Sequence, residues 1–125
     1  MLHRNRHNGI RCICKQNHQK NTEILCNPVR TFIKQDAKIL KNTQLYPLLF
    51  VDRDSYESKN QVPSLHLMIG AITMLNHNQD ANCYISWHIG EDIQTACAKL
   101  YAKRHICSGE ELFIQYHNID EYDFI

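Results

Sequence analysis

Leu75-Asn76-His77-Asn78-Gln79-Asp80-Ala81-Asn82-Cys83 and Ala102-Lys103-Arg104-His105-Ile106-Cys107-Ser108-Gly109-Glu110-Glu111-Leu112-Phe113-Ile114-Gln115-Tyr116 are the two stretches that decide the fold. The first has the form N-H-x4-N-C, and the second A-x-R-x-I-x2-G-E-E-L-x-I-x-Y. Between them, Cys83, Ile85, Trp87 and Ile89 alternate with Tyr84, Ser86 and His88, the period of a half-buried strand. Gly90-Glu91-Asp92 reads as a tight turn, and Ile93 to Tyr101 as the returning strand. Ser108-Gly109-Glu110 turns the chain again before a last strand over Leu112 to Tyr116.

Upstream of the first stretch, Leu65 to Leu75 is too densely apolar for a solvent-facing element, and Asp52 to Pro63 is a polar loop or small insertion. Arg30 to Ile33 and Gln44 to Val51 read as strands, with Pro47 confining the latter to an edge or a bulge. No long amphipathic helix is evident, so the expected class is mostly β, in short strands. Residues 1–27 read as an irregular basic arm, since Arg4, Arg6, Arg11, Lys15 and Lys20 precede the first acidic residue, Glu23, and apolar residues are sparse. The end, residues 118–125, is an acidic and aromatic tail.

The chain has 125 residues, 43% apolar and 22% charged, with a formal net charge of +1. That suits one globular domain and provides no global field for nucleic acid or membrane. The longest apolar run falls short of the roughly 18 residues of a membrane span, so no membrane partner is expected. The basic start lacks the apolar stretch of a secretion signal. Six cysteines, at 12, 14, 26, 83, 97 and 107, are therefore expected as reduced thiols or metal ligands rather than as three disulfides. Cys12, Cys14, His18 and Cys26 include enough sulfur and imidazole for a tetrahedral zinc, but their spacing is not that of a zinc finger, and no metal is assigned.

Taken together, the two stretches resemble the SET-domain protein lysine methyltransferases. The resemblance covers residues 28–117, with Phe32-Ile33 and Lys41 to Tyr46 similar to the family's opening hairpin. Asn76-His77, Asn82-Cys83 and Thr95-Ala96-Cys97-Ala98-Lys99 look most like the histone H4 lysine-20 class. It implies a SET-domain fold of short curved sheets with a C-terminal pseudoknot, in which the tyrosine-bearing segment threads a loop that carries the Asn-His pair.

It also implies S-adenosyl-L-methionine as cofactor and a histone tail or nucleosome as substrate, with a nuclear, chromatin-bound location. Residues 1–27 would add weak, non-specific contact with DNA phosphates. By this resemblance Tyr116 is the catalytic tyrosine, and Asn76 and His77 bind the cofactor. Asn82, Gly109 and Glu110 are ties that hold the crossing, and Tyr122 and Phe124 wall the substrate channel. The bland alternatives are a core-capping strand tyrosine at 116 and a backbone-tying turn asparagine at 76.

Glu110 and Glu111, adjacent on a strand, are expected to face opposite ways and so not to form a shared acid/base pair. The family opens with a Gly-x-Gly cofactor turn, whose expected place here is Pro28-Val29-Arg30. Arg30 then either reaches the cofactor's carboxylate or blocks its pocket. The family's zinc-binding cysteines after the tyrosine are missing, and Asn78 replaces the cysteine that follows the Asn-His pair. A degenerate SET module that binds a histone or another protein without catalysis is the alternative.

Overall fold

The computed structural model describes residues 11–32, 34–51, 65–88 and 96–116. Strand β1 (Glu23–Phe32) leads into helix α1 (Lys34–Leu40) and a 3-10 turn over Tyr46–Leu48. Strands β2 (Phe50–Val51) and β3 (Leu65–Met68) follow, then a second 3-10 turn over Ala71–Met74 and strand β4 (Asn76–His77). Strands β5 (Cys83–His88), β6 (Cys97–Ala102) and β7 (Phe113–Ile114) complete the order. Five strands form one antiparallel sheet in the order β2-β3-β1-β6-β5, while β4 and β7 pair in parallel as a separate two-stranded sheet. The expected mostly-β class is the observed one.

β1 is the hub of the large sheet. Its first half pairs with β6, from Glu23 opposite Tyr101 to Pro28 opposite Cys97, and its second half with β3, from Val29 opposite Met68 to Phe32 opposite Leu65. Pro28 falls where the strand changes partner, so its missing N–H interrupts neither ladder, and its carbonyl accepts from Ile69 N at 2.9 Å. β5 and β6 pair from Cys83 opposite Ala102 to His88 opposite Cys97, the register of a hairpin. The turn expected at residues 90–92 lies outside the described residues, as does the expected loop at 52–63.

The inner side of the sheet and the two-stranded unit share one core. Leu100, Ile106, Ile114, Leu75 and Ile72 are fully or almost fully buried in it, together with Cys14, Val29 and Tyr116. Burying each large aliphatic side chain contributes about 1.5–3 kcal/mol. A smaller cluster forms around Leu49 and Leu65, covered by Phe32, Leu40 and Tyr46.

Several expectations are corrected. Gln44 to Val51 is a strand only at Phe50–Val51, because Pro47 sits in the first positions of a 3-10 turn, where its fixed φ is favourable. Leu65 to Leu75, expected only as an element not facing solvent, is a strand to Met68, exposes Ile69 and then closes into a 3-10 turn. Helix α1 is an addition. Its seven residues carry Asp36 in the first turn and Lys38 in the last, and Thr43 Oγ1 caps it by donating to Leu40 O at 2.7 Å.

The described part of the expected arm, residues 11–27, belongs to the folded body. Cys14 N donates to Glu110 O at 2.8 Å, Gly109 N to Cys14 O at 2.7 Å and Leu112 N to Cys12 O at 2.8 Å. His18 exchanges backbone bonds with Ile106, and β1 has already begun at Glu23. Backbone pairing rather than apolar periodicity holds this segment. Asn21, with φ of 66°, makes the turn that brings the chain into β1.

Candidate functional site

The segment 106–116 is laid between two parts of the chain that come much earlier. On one side it meets residues 12–18 through the bonds just described. On the other, β7 runs parallel to β4, with Phe113 opposite Asn76 and Ile114 opposite His77. Asn78 N extends the ladder by donating to Ile114 O at 3.1 Å. Asn82 crosses the junction: its Nδ2 donates to Glu111 O at 2.8 Å, and its Oδ1 accepts from Phe113 N at 2.9 Å. A single carboxamide thus satisfies two backbone groups of the crossing strand while itself 2% exposed.

Tyr116 sits at the end of this path, 4% exposed. Its backbone N donates to His77 Nδ1 at 2.9 Å, its hydroxyl donates to Leu75 O at 2.6 Å, and its ring centroid lies 5.1 Å from that of His77. Asn76, on the neighbouring register position, donates from Nδ2 to Glu111 Oε2 at 3.0 Å. The crossing therefore brings together Asn76, His77, Asn82, Glu111 and Tyr116.

Positioning of Leu75, whose carbonyl fixes the tyrosine hydroxyl, goes back to β1. Asn27 Oδ1 accepts from Ile72 N at 2.9 Å, holding the 3-10 turn that leads into Leu75 and β4. Gly70, with φ of 148°, precedes that turn, and a Cβ there would collide with the buried Asn27 carboxamide.

Glu110 and Glu111 do take different partners. Glu110 accepts from Arg104 Nη2 at 3.0 Å and from the backbone N–H of Cys107 at 2.6 Å, and these bonds hold its carboxyl below the usual carboxylate value. The bracket pins the turn in which Gly109 adopts a φ of 96°. Glu111 instead faces Asn76 with one oxygen and Arg11 with the other, at 3.8 Å from Nη1.

Arg30 is not brought to this crossing. It is exposed on β1 opposite Leu67, on the face away from Val29, whose side chain joins the same core as Tyr116. Pro28-Val29-Arg30 is continuous strand rather than a turn, which corrects the expected location of the cofactor loop. Tyr122 and Phe124 lie outside the described residues.

The four residues considered for zinc are dispersed. Cys14 is buried with its Sγ donating to Gln16 O, and Cys26 lies on the exposed face of β1. Among the described residues no group of three or more His, Cys, Asp or Glu side chains is placed to hold a metal ion. All six cysteines are free thiols. Burial pushes the Cys83 thiol up to about 12, with the neighbouring Cys14 adding to the shift. Among the described residues no helix is long and apolar enough to cross a membrane.

The family model for the SET domain matches residues 9–117. The chain belongs to the SET-domain family. The matched region opens at Gly9-Ile10-Arg11, well before residue 28, so the SET domain takes in most of the segment expected as an arm. Over 48 residues the chain is 42% identical to an Emericella nidulans histone-lysine N-methyltransferase, H3 lysine-36 specific; the match spans 38% of this chain and 4% of that protein's length.

Two solved structures share the SET fold. One is a candidate histone methyltransferase of Plasmodium falciparum, with a TM-score of 0.62 and 17% identity, covering 94% of this chain and 96% of that one. The other is the Neurospora SET domain protein DIM-5, a histone lysine methyltransferase, with a TM-score of 0.61 and 20% identity over 85% of this chain and 47% of that one.

The polar set of this SET domain suits an S-adenosyl-L-methionine cofactor. Asn76 offers a carboxamide, Glu111 a carboxylate and Arg11 a guanidinium, so donors, acceptors and both signs of charge lie together at the crossing. Arg11 and Asn27 are additions to the residues expected from the sequence. Neither carries a local signal: one gains its place through backbone pairing of residues 12–14 with 109–112, the other through the change of partner along β1.

Proposed function

We propose that this SET domain transfers a methyl group from S-adenosyl-L-methionine to a histone lysine. The observation that carries the reading is the convergence of Asn76, His77 and Tyr116 at the strand crossing, with the tyrosine hydroxyl fixed on Leu75 O. When bound, the cofactor supplies an electrophilic methyl on a sulfonium.

The chain's own residues then have three tasks. Asn76 and His77 hold the cofactor, with Glu111 keeping the Asn76 carboxamide in place. Tyr116 donates its hydroxyl proton to Leu75 O, which fixes the position of the phenolic oxygen for the reacting groups. Burial around His77 and Tyr116 excludes water and disfavours the ammonium form of the incoming lysine, whose ordinary pKa is near 10.4. In-line attack by the neutral amine requires such positioning more than acid/base assistance.

Ala96 to Lys99 on and before β6 belongs to the segment similar to the H4 lysine-20 class, whereas the Emericella relative is H3 lysine-36 specific. H4 lysine-20 is the target we favour, with H3 lysine-36 as the competitor. A nuclear, chromatin-bound protein follows from this reading, with the exposed Lys15 and Lys20 touching DNA phosphates without sequence preference.

The test is methyl incorporation from labelled S-adenosyl-L-methionine into nucleosomes carrying Lys→Arg at H4 position 20 or at H3 position 36. Tyr116→Phe should lower turnover on the order of a hundredfold or more while cofactor affinity stays within about threefold. Turnover retained in Tyr116→Phe would refute the assignment of the tyrosine. No incorporation and no cofactor binding would refute the methyltransferase reading.

A further inference from the structure

Cys26 and Cys97 meet on the outer face of the large sheet, away from the strand crossing. Along the ladder of β1 and β6, Cys26 stands opposite Lys99 and Pro28 opposite Cys97, so the two cysteines are diagonal neighbours on adjoining strands. They share a face: Cys26, Pro28, Cys97 and Lys99 are exposed or half-buried, while Asn27 and Ala98 between them are buried. The two thiols are close enough to share a hydrogen bond, and partial desolvation followed by this contact raises the Cys26 thiol above its ordinary value.

Cys14 and Cys83 also neighbour each other, but both are buried from a reagent in solution. Cys107 is exposed in a different part of the chain, in the turn that Glu110 pins. The outer pair on β1 and β6 is thus the one that combines proximity with access.

It also lies one residue from a buried tie. Asn27 points to the inner side of β1, where its Oδ1 holds Ile72 N at the 3-10 turn that leads into Leu75. Diagonal neighbours in an antiparallel pair stand about 7–8 Å apart, whereas a disulfide joins Cα atoms about 4.4–6.8 Å apart. Bridging the pair therefore draws β1 toward β6 at Cys26 and moves Asn27 with it.

We propose that Cys26 and Cys97 are a modification site, a cross-strand dithiol that a small-molecule disulfide such as oxidised glutathione closes reversibly into a bridge between β1 and β6. The exposed Cys26 thiolate attacks one sulfur of the reagent, forming a mixed disulfide and expelling one glutathione thiolate. Cys97 then attacks the Cys26 sulfur, forming the protein bond and releasing the second glutathione. Two protein thiols are oxidised, one glutathione disulfide is reduced, and the two protein protons pass to the released thiols.

The experiment incubates the full folded chain with oxidised glutathione and maps its peptides by mass. Cys26 and Cys97 should appear as one bridged peptide pair two hydrogens lighter than the free thiols, while Cys107 carries a glutathione adduct. Cys97→Ser should leave Cys26 with a lasting adduct. Dithiothreitol should restore both thiols without unfolding the chain, as for other exposed, strained bridges. Exchange of the Ile72 amide should be up to about tenfold faster in the bridged chain, the effect of weakening one hydrogen bond.

A persistent adduct at Cys26 of the unaltered chain, matching that at Cys107, would overturn the assignment. So would bridges between chains in place of the one within a chain. An Ile72 amide equally protected in the bridged and reduced chains would refute the link from this pair to the turn before Leu75.

Discussion

Replacing Asn82 with alanine removes, at one position, the acceptor for Phe113 N and the donor to Glu111 O. Asn82 is almost fully buried, so water does not replace both partners. Each stranded backbone group costs about 1–3 kcal/mol, so the expected loss is about 2–6 kcal/mol. Against the 5–15 kcal/mol typical of a domain this is a large fraction.

Urea unfolding followed by Trp87 emission reads the loss directly. Trp87 is the sole tryptophan, and its ring packs 4.7 Å from His66 and 6.2 Å from Phe50. The midpoint should fall by about 1–3 M, given slopes near 1–3 kcal/mol per molar urea.

Asn82→Asp separates the two bonds. The carboxylate still accepts from Phe113 N but faces the Glu111 carbonyl without a proton to donate. Burial raises the folded-state pKa of that carboxyl above its unfolded value, so the penalty is full at neutral pH and shrinks as pH falls through the raised value toward about 4. Protonation restores the donor. An Asn82→Ala protein within about 0.5 kcal/mol of the parent, or an Asn82→Asp deficit that does not change with pH, would refute the view that this carboxamide locks the crossing.

Three further outcomes follow from the geometry. Gly70→Ala should lose about 2–4 kcal/mol by chemical denaturation, because the added Cβ displaces the Asn27 carboxamide from Ile72 N and strains a positive φ. Glu110→Gln should be less stable than the parent at neutral pH. Since Arg104 and Cys107 N lower the Glu110 pKa in the folded chain, that difference should fade as pH drops below about 4.5, measured by melting at a series of pH values. In native buffer a thiol reagent should modify the exposed Cys26 and Cys107 first, and Cys14 and Cys83 only on unfolding, as peptide mapping would show.

How far these features were legible in the sequence depends on what carries each of them. β5 was readable because Cys83, Ile85 and Trp87 alternate with more polar neighbours on a strand that packs on one face. Asn76, His77 and Tyr116 were readable as two spaced motifs, and the structure brings them together. Helix α1 was not, since seven residues with Ile39 left 68% exposed make no apolar stripe.

Residues 11–27 carry little sequence signal for a related reason. Most of their ties are backbone hydrogen bonds to the 102–112 region, which any side-chain sequence can make, and Ile13 stays exposed. With that segment expected as an arm, the basic residue expected at the cofactor loop is Arg30, which the structure leaves exposed on β1. Pro47 reads from the sequence as an edge-strand or bulge residue, though a 3-10 turn accommodates its ring equally well.

The bond from Ser108 Oγ to Lys15 O joins residues 93 apart in the sequence, and the segment that follows Ser108 supplies β7 and Tyr116. During synthesis, then, residues 11–18 and β4 emerge from the ribosome long before their partner exists. The sheet of β1, β3, β5 and β6 can assemble first, but the crossing that seats Tyr116 has to wait for the chain to be made through residue 116. Closing contacts this distant is slow, so a nascent or truncated chain would hold the large sheet before it holds the crossing.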